Sequence, residues 1–185
     1  MEITELVSRY AKHPGVKSLA KALDNSKLST IYLEGIQASA PALTFASLYT
    51  SSPKSMRHPF LFVMDDQEEA GYLYHDLVQM LGDENVLFFP SSFRRAVKYG
   101  QKDPANEILR PEVLSRLSSQ RLPLYIVSFP DALSELVVSH EELHDQTLML
   151  HTGESADLEV TEQTLFQFGF DGMIASAGSY VRYKD

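Results

Sequence analysis

The chain contains no cysteine. That excludes a disulfide framework and all thiol chemistry, and it suits a reducing compartment. Positive charge is scarce. Lys and Arg number 16 against 25 Asp and Glu, for a net charge of −9. Non-specific duplex binding needs clustered cations on the phosphates, so this balance argues against it. The one dense basic stretch is Arg94, Arg95, Lys98 and Lys102, interleaved with Phe93 and Tyr99. It reads as a solvated loop, with a local nucleic-acid or protein contact as the alternative. No apolar run approaches the roughly 18 residues of a membrane span. The N-terminus lacks the basic-then-apolar pattern of a signal peptide. Internal repeats and low-complexity segments are also missing. The expectation is a soluble, cytoplasmic protein.

What is present is ordinary globular composition, with 44% hydrophobic and 22% charged residues. A length of 185 residues allows one good-sized core, or one domain plus part of another. Glu2 to Tyr10 and Gly15 to Leu23 read as short amphipathic helices separated by His13-Pro14-Gly15. Strands and helices then alternate. Thr30 to Leu33 reads as a strand and Ala42 to Tyr49 as a helix. Pro59 to Met64 is a near-continuous apolar run, the mark of a strand buried on both faces. Asp65-Asp66 opens a helix that runs to about Leu81 and ends at Gly82. Val86 to Phe89 is a third strand, followed by a polar loop over Ser91 to Asp103. Pro104 to Ser119 reads as a helix that Pro111 is expected to disturb. Pro123 to Ser128 is a fourth strand.

Alternation of this kind predicts an α/β fold with βαβ crossovers and a mostly parallel sheet. It weakens after Phe129-Pro130, which predicts a boundary there: residues 1–128 as an α/β lobe, and 129–185 as part of a small α+β domain. In the second part Asp131 to Val138 reads as a short helix and Gln146 to His151 as a strand. Val160 to Phe168 reads as a helix closed by Gly169, and Met173 to Tyr183 as the start of an antiparallel element.

The window Leu33 to Thr44 sits where a phosphate-binding loop belongs. The pattern G-x-x-x-x-G-K-[ST] needs Gly, Gly, Lys and a hydroxyl residue between a strand and a helix. Gly35 matches the first Gly. The second Gly is replaced by Ala40, the Lys by Pro41 and the Ser/Thr by Ala42. No cation is left for the β/γ-phosphates and no hydroxyl for Mg²⁺. Pro41 also removes a backbone N–H that would face an anion. No nucleotide cofactor is expected at this degenerate loop, although an unorthodox nucleotide-binding domain stays open as an alternative. An ordinary turn with Pro in the first helical turn accounts for the same residues.

His140-Glu141-Glu142-Leu143-His144 is a literal H-E-x-x-H. On a helix it would put both imidazoles on one face for Zn²⁺, with Glu141 as general base and Glu154, Glu159 or Glu162 as a third ligand. Against it, Glu142 and Asp145 flank the ligands where a zinc helix is normally apolar, and the segment reads as a short connection. A zinc metallohydrolase is therefore the rival reading, and a solvated helix end with no metal the preferred one. Asp65 and Asp66 are better explained by helix capping than by metal binding. Ser176 and Ser179 lie in no G-x-S-x-G elbow, so no hydrolase triad is expected. His13, His58, His75 and His151 are scattered and read as surface or packing residues.

Taken in order, YLEGIQASAPALT, PFLFVMDDQEEAGYLYHDL, VLFFPSSFRRAVKYGQ, ANEILRPEVLSRL and PLYIVSFPDAL resemble the N-terminal, UvrB-like part of the bacterial transcription-repair coupling factor (Mfd) family. The blocks match from about residue 15 onward. The resemblance implies a parallel sheet of P-loop NTPase/helicase type with a degenerate Walker A, and no catalysis by this chain. It implies that the parent is an ATP-dependent DNA translocase whose motor lies outside this segment. UvrA is the implied partner, together with other domains of the parent. RNA polymerase and DNA would be engaged only through the full-length parent. The small domain would carry the UvrA-binding surface, and the resemblance assigns Arg182 to it, with Tyr180 as an aromatic neighbour. Two departures stand out. Asp171 follows Gly169-Phe170 where the family often has Arg. Arg182 is followed by Tyr183-Lys184-Asp185 in place of the Arg-Gly and the next strand.

Overall fold

The computed structural model describes residues 2–51, 59–93, 104–118, 124–145, 148, 153, 155, 157–168, 170–175 and 178–183. Helices α1 (Ile3–Tyr10), α2 (Pro14–Leu23) and α3 (Ala40–Ser51) come first. The alternating part follows: strand β1 (Phe60–Val63), helix α4 (Gln67–Leu81), strand β2 (Val86–Phe88), helix α5 (Pro104–Ser118) and strand β3 (Tyr125–Ser128). Then come α6 (Pro130–Leu133), α7 (His140–Asp145), α8 (Leu158–Gln167), β4 (Phe170–Ala175) and β5 (Gly178–Tyr183). The contacts divide the chain into two compact units, Met1–Val137 and Val138–Asp185.

The first unit is a mixed α/β structure on a three-stranded parallel sheet, with strand order β1-β3-β2. The last strand in sequence is thus the central one, with Tyr125 registered against both Phe60 and Val86. All four residues of β3 are buried, as expected of a parallel strand covered on both faces. Tyr125 is the hub. Its ring meets Phe45, Tyr49, Phe60 and Phe62 edge-on, with centroids between 5.1 and 6.4 Å apart. Such pairs each add about 0.5–1.5 kcal/mol beyond area burial. Phe45 and Tyr49 belong to α3, so these rings tie that helix to the sheet.

Local chemistry explains the helices. In α2 the N-cap is His13, whose Nδ1 accepts from the Gly15 N–H at 3.1 Å, and Pro14 takes the first helical position. Its buried residues Val16, Leu19 and Ala20 recur at helical spacing. In α3 the small residues Ala42, Ala46 and Ser47 are fully buried, and the Ser47 hydroxyl donates to the Val7 carbonyl at 3.1 Å. This bond joins α3 to α1. Asp66 caps α4, its Oδ1 accepting from the amides of Glu68 and Glu69 at 2.8 and 3.0 Å. Gly82 closes the helix at φ 83°, a conformation that favours glycine. Between the caps Ala70, Leu73 and Leu77 face inward. Leu77 is fully buried, a term of about 1.5–3 kcal/mol on area grounds.

Two expectations need correction. Thr30 to Leu33 forms no strand. The segment is exposed, with Tyr32 at 86%. Its β-branched and aromatic residues favour a pleated surface only when a neighbouring ladder takes up their backbone groups, and none of the described strands pairs with it. Likewise β1 is not buried on both faces. It is an edge strand, and Leu61 and Val63 on one face are 53% and 51% exposed. The helix expected over Pro104 to Ser119 is α5, which runs to Ser118 with Pro111 inside it.

Within the second unit, α8 is capped by Asp157, which accepts from the Glu159 and Val160 amides at 3.0 and 3.3 Å. It lies against β4, which pairs antiparallel with β5. The antiparallel element expected near the tail is therefore present. The strand expected over Gln146 to His151 lies outside the described residues, apart from Leu148.

Candidate functional site

The degenerate loop is a turn leading into α3. Gly35 has φ 78° and Ala38 φ 52°. The left-handed value is easy for Gly35 and costs about 1 kcal/mol or more at Ala38. The helix start is already engaged: the Ala40 amide donates to Gln37 O and the Leu43 amide to Ser39 O, both at 3.0 Å. Pro41 has no amide hydrogen to offer, and Ala42 is fully buried against the core. With no strand preceding it, the window is loop-helix, not strand-loop-helix.

The H-E-x-x-H segment forms the short helix α7, His140–Asp145. Its start is a capping box. The Ser139 Oγ accepts from the Glu142 amide at 3.2 Å, and the Glu142 carboxylate accepts from the Ser139 amide at 3.0 Å. Those bonds from Ser139 hold the Glu142 carboxyl below the usual range. Glu141 is exposed; the side chains of His140 and His144 lie outside the described set, as does Glu154. Glu159 and Glu162 are exposed on α8. Among the described residues no group of three His, Asp or Glu lies close enough to hold a metal ion.

Arg182 and Tyr180 both stand on β5. The register sets Arg182 opposite Asp171 and Tyr180 opposite Met173. Arg94, Arg95, Lys98, Tyr99 and Lys102 lie outside the described residues, as do His58, His151 and Ser176; Phe93 is exposed. His13 stacks on Tyr10, with ring centroids 5.4 Å apart, and His75 bonds Gln79 on the exposed face of α4.

A further cluster sits just beyond the C-terminal ends of β2 and β3, where open α/β sheets carry their functional groups. Arg110 of α5 is 6% exposed. Its Nη1 donates to the carbonyls of Pro90 and Ala132 at 2.8 and 3.0 Å and lies 3.4 Å from the Glu135 carboxylate. The guanidinium stacks 4.3 Å over the Phe89 ring. Glu135 in turn accepts from the Ser91 hydroxyl and, through both oxygens, from the Ser92 amide. Burial alone would push the Glu135 carboxyl up. The bonds from Ser91 and Ser92 and the Arg110 charge outweigh it and hold the group below its usual range. Burial lowers the Arg110 pKa against the opposing pull of Glu135; an Arg stays charged regardless. Sequence reading passed over this cluster. The signal was Asn106, Arg110 and Val113 at helical spacing, which puts an Arg on the core face of α5. Asn106 donates to Ser91 O at 2.9 Å and Val113 is buried.

Comparison of the chain with protein-family models, curated proteins and solved structures finds no match. No helix among the described residues is long and apolar enough to cross a membrane.

Proposed function

We propose that this chain is a non-catalytic protein-interaction module, the UvrB-like N-terminal part of a transcription-repair coupling factor. In this reading it recruits UvrA to stalled RNA polymerase in nucleotide-excision repair. The sheet is of P-loop NTPase/helicase type, and the second unit carries the UvrA contact, with Arg182 and Tyr180 on β5. The observation that carries the reading is the loop from Gly35 to Ala42. It occupies the phosphate-loop position of the resemblance and lacks the second Gly, the Lys and the hydroxyl residue of the pattern. A parallel α/β unit without those groups fits a binding role. Arg beside an aromatic is a common interface anchor.

The test is binding of the chain to purified UvrA, with Arg182→Ala alongside. Saturable binding, weakened about tenfold or more by the substitution as at an interface hot spot, is expected. A folded chain that shows no binding to UvrA overturns the reading.

A further inference from the structure

We propose that Glu135 is a latch that fixes where the first unit ends. Its carboxylate gathers donors from two separate parts of that unit. Ser91 and Ser92 come from the segment after β2, and Arg110 comes from α5. Arg110 grips the same departing segment a second time through the Ala132 carbonyl. Arg110 thus meets the segment at two points, the Ala132 carbonyl and the Glu135 carboxylate. Leu136 is 100% exposed and Val137 50%, and the unit boundary follows.

The element held in place cannot stand alone. Helix α6 has four residues, far below the length at which a helix is stable in water. Its apolar anchors are Phe129 and Ala132, 1% and 0% exposed. Losing the Glu135 contacts would leave the Arg110 charge buried beside them without its counter-ion, an unfavourable state. Undocking relieves it by letting water reach Arg110. The chain after β3 thus has two states. In one, the connection to the second unit begins at Leu136. In the other it begins near Phe129, is longer, and bares Phe129 and Ala132. The proposal concerns this connection only and does not depend on which partner the second unit binds.

Amide hydrogen exchange on the full chain tests it. The reporters are the Leu133 and Ser134 amides, which donate to Phe129 O and Pro130 O. The reference is the Tyr125 amide in β3, which donates to Asn85 O. In Glu135→Ala, exchange at Leu133 and Ser134 is expected to rise about tenfold or more beyond any rise at Tyr125, the mark of local opening. Ser91→Ala keeps the charge pair and is expected to give a smaller rise at the same two amides. Unchanged exchange at Leu133 and Ser134 overturns the latch. So does a parallel rise at Tyr125, which would make Glu135 a contributor to global stability alone. Should Glu135→Ala fail to fold, the same criteria applied to Ser91→Ala decide the matter.

Discussion

The phenol of Tyr125, at the centre of the sheet, donates to the main-chain carbonyl of Phe45 on α3 at 2.8 Å. The bond links the middle strand to a helix 80 positions earlier in the chain. Burial raises the Tyr125 pKa well above the ordinary phenol value, with the nearby Tyr49 adding to it, so the hydroxyl remains a donor across the working pH range. Tyr125→Phe keeps the ring contacts and removes this bond. A loss of about 1 kcal/mol is expected. Tyr125→Ala removes the hub and should cost about 3–5 kcal/mol. Urea denaturation of the two variants reads both values.

Asp65 and Asp66 are neighbours with different duties. Asp66 bonds two amides at the start of α4. Asp66→Ala should destabilise by about 0.5–2 kcal/mol, the range for a lost N-cap. Asp65→Ala should stay within about 0.5 kcal/mol of the parent, as for most surface changes. Equal losses in thermal unfolding would show that the capping account of this pair is wrong.

Acid should weaken the first unit through Glu135. Its folded pKa lies below the unfolded value. The stabilisation is therefore fully present above the unfolded pKa, about 4.3 for Glu, and is lost as pH falls through the lower folded value. The stability gap between the parent and Glu135→Gln should be constant near neutrality and narrow below about pH 4. Denaturation midpoints across that range give the answer, and a gap that widens on acidification contradicts the sign.

Ligand tests address the two chemical rivals. Mg-ATP at concentrations far above a typical Kd should leave the melting temperature unchanged, because a bound ligand stabilises by mass action. Elemental analysis of purified protein should find less than stoichiometric zinc. A full equivalent of zinc lost on His140→Ala would establish the metallohydrolase reading instead.

Much of the first unit was legible because its signals are local. Asp66 and Gly82 bracket α4 by capping chemistry, and the apolar run from Tyr125 to Ser128 marks a covered strand. Thr30 to Leu33 misled because strand propensity does not say whether a neighbour exists. The capping box of α7 was visible as Ser139-x-x-Glu142, yet the same letters read as H-E-x-x-H draw attention to the imidazoles. The Arg110–Glu135 pair joins residues 25 positions apart by number, and only the fold brings them together. A charged residue on an apolar helix face was its only trace.

The exposed face of β1 has a colloidal consequence. Among the described residues β1 is an edge strand with Leu61 and Val63 open to water on one face, and such edges are templates for pairing between copies. Its shortness, four residues, limits that tendency. Mutual repulsion from a net charge of −9 opposes it further at neutral pH. That repulsion vanishes near the isoelectric point, about 5.1. Mildly acidic buffers should therefore favour reversible self-association before any unfolding begins, with turbidity rising with concentration and falling again on return to neutral pH.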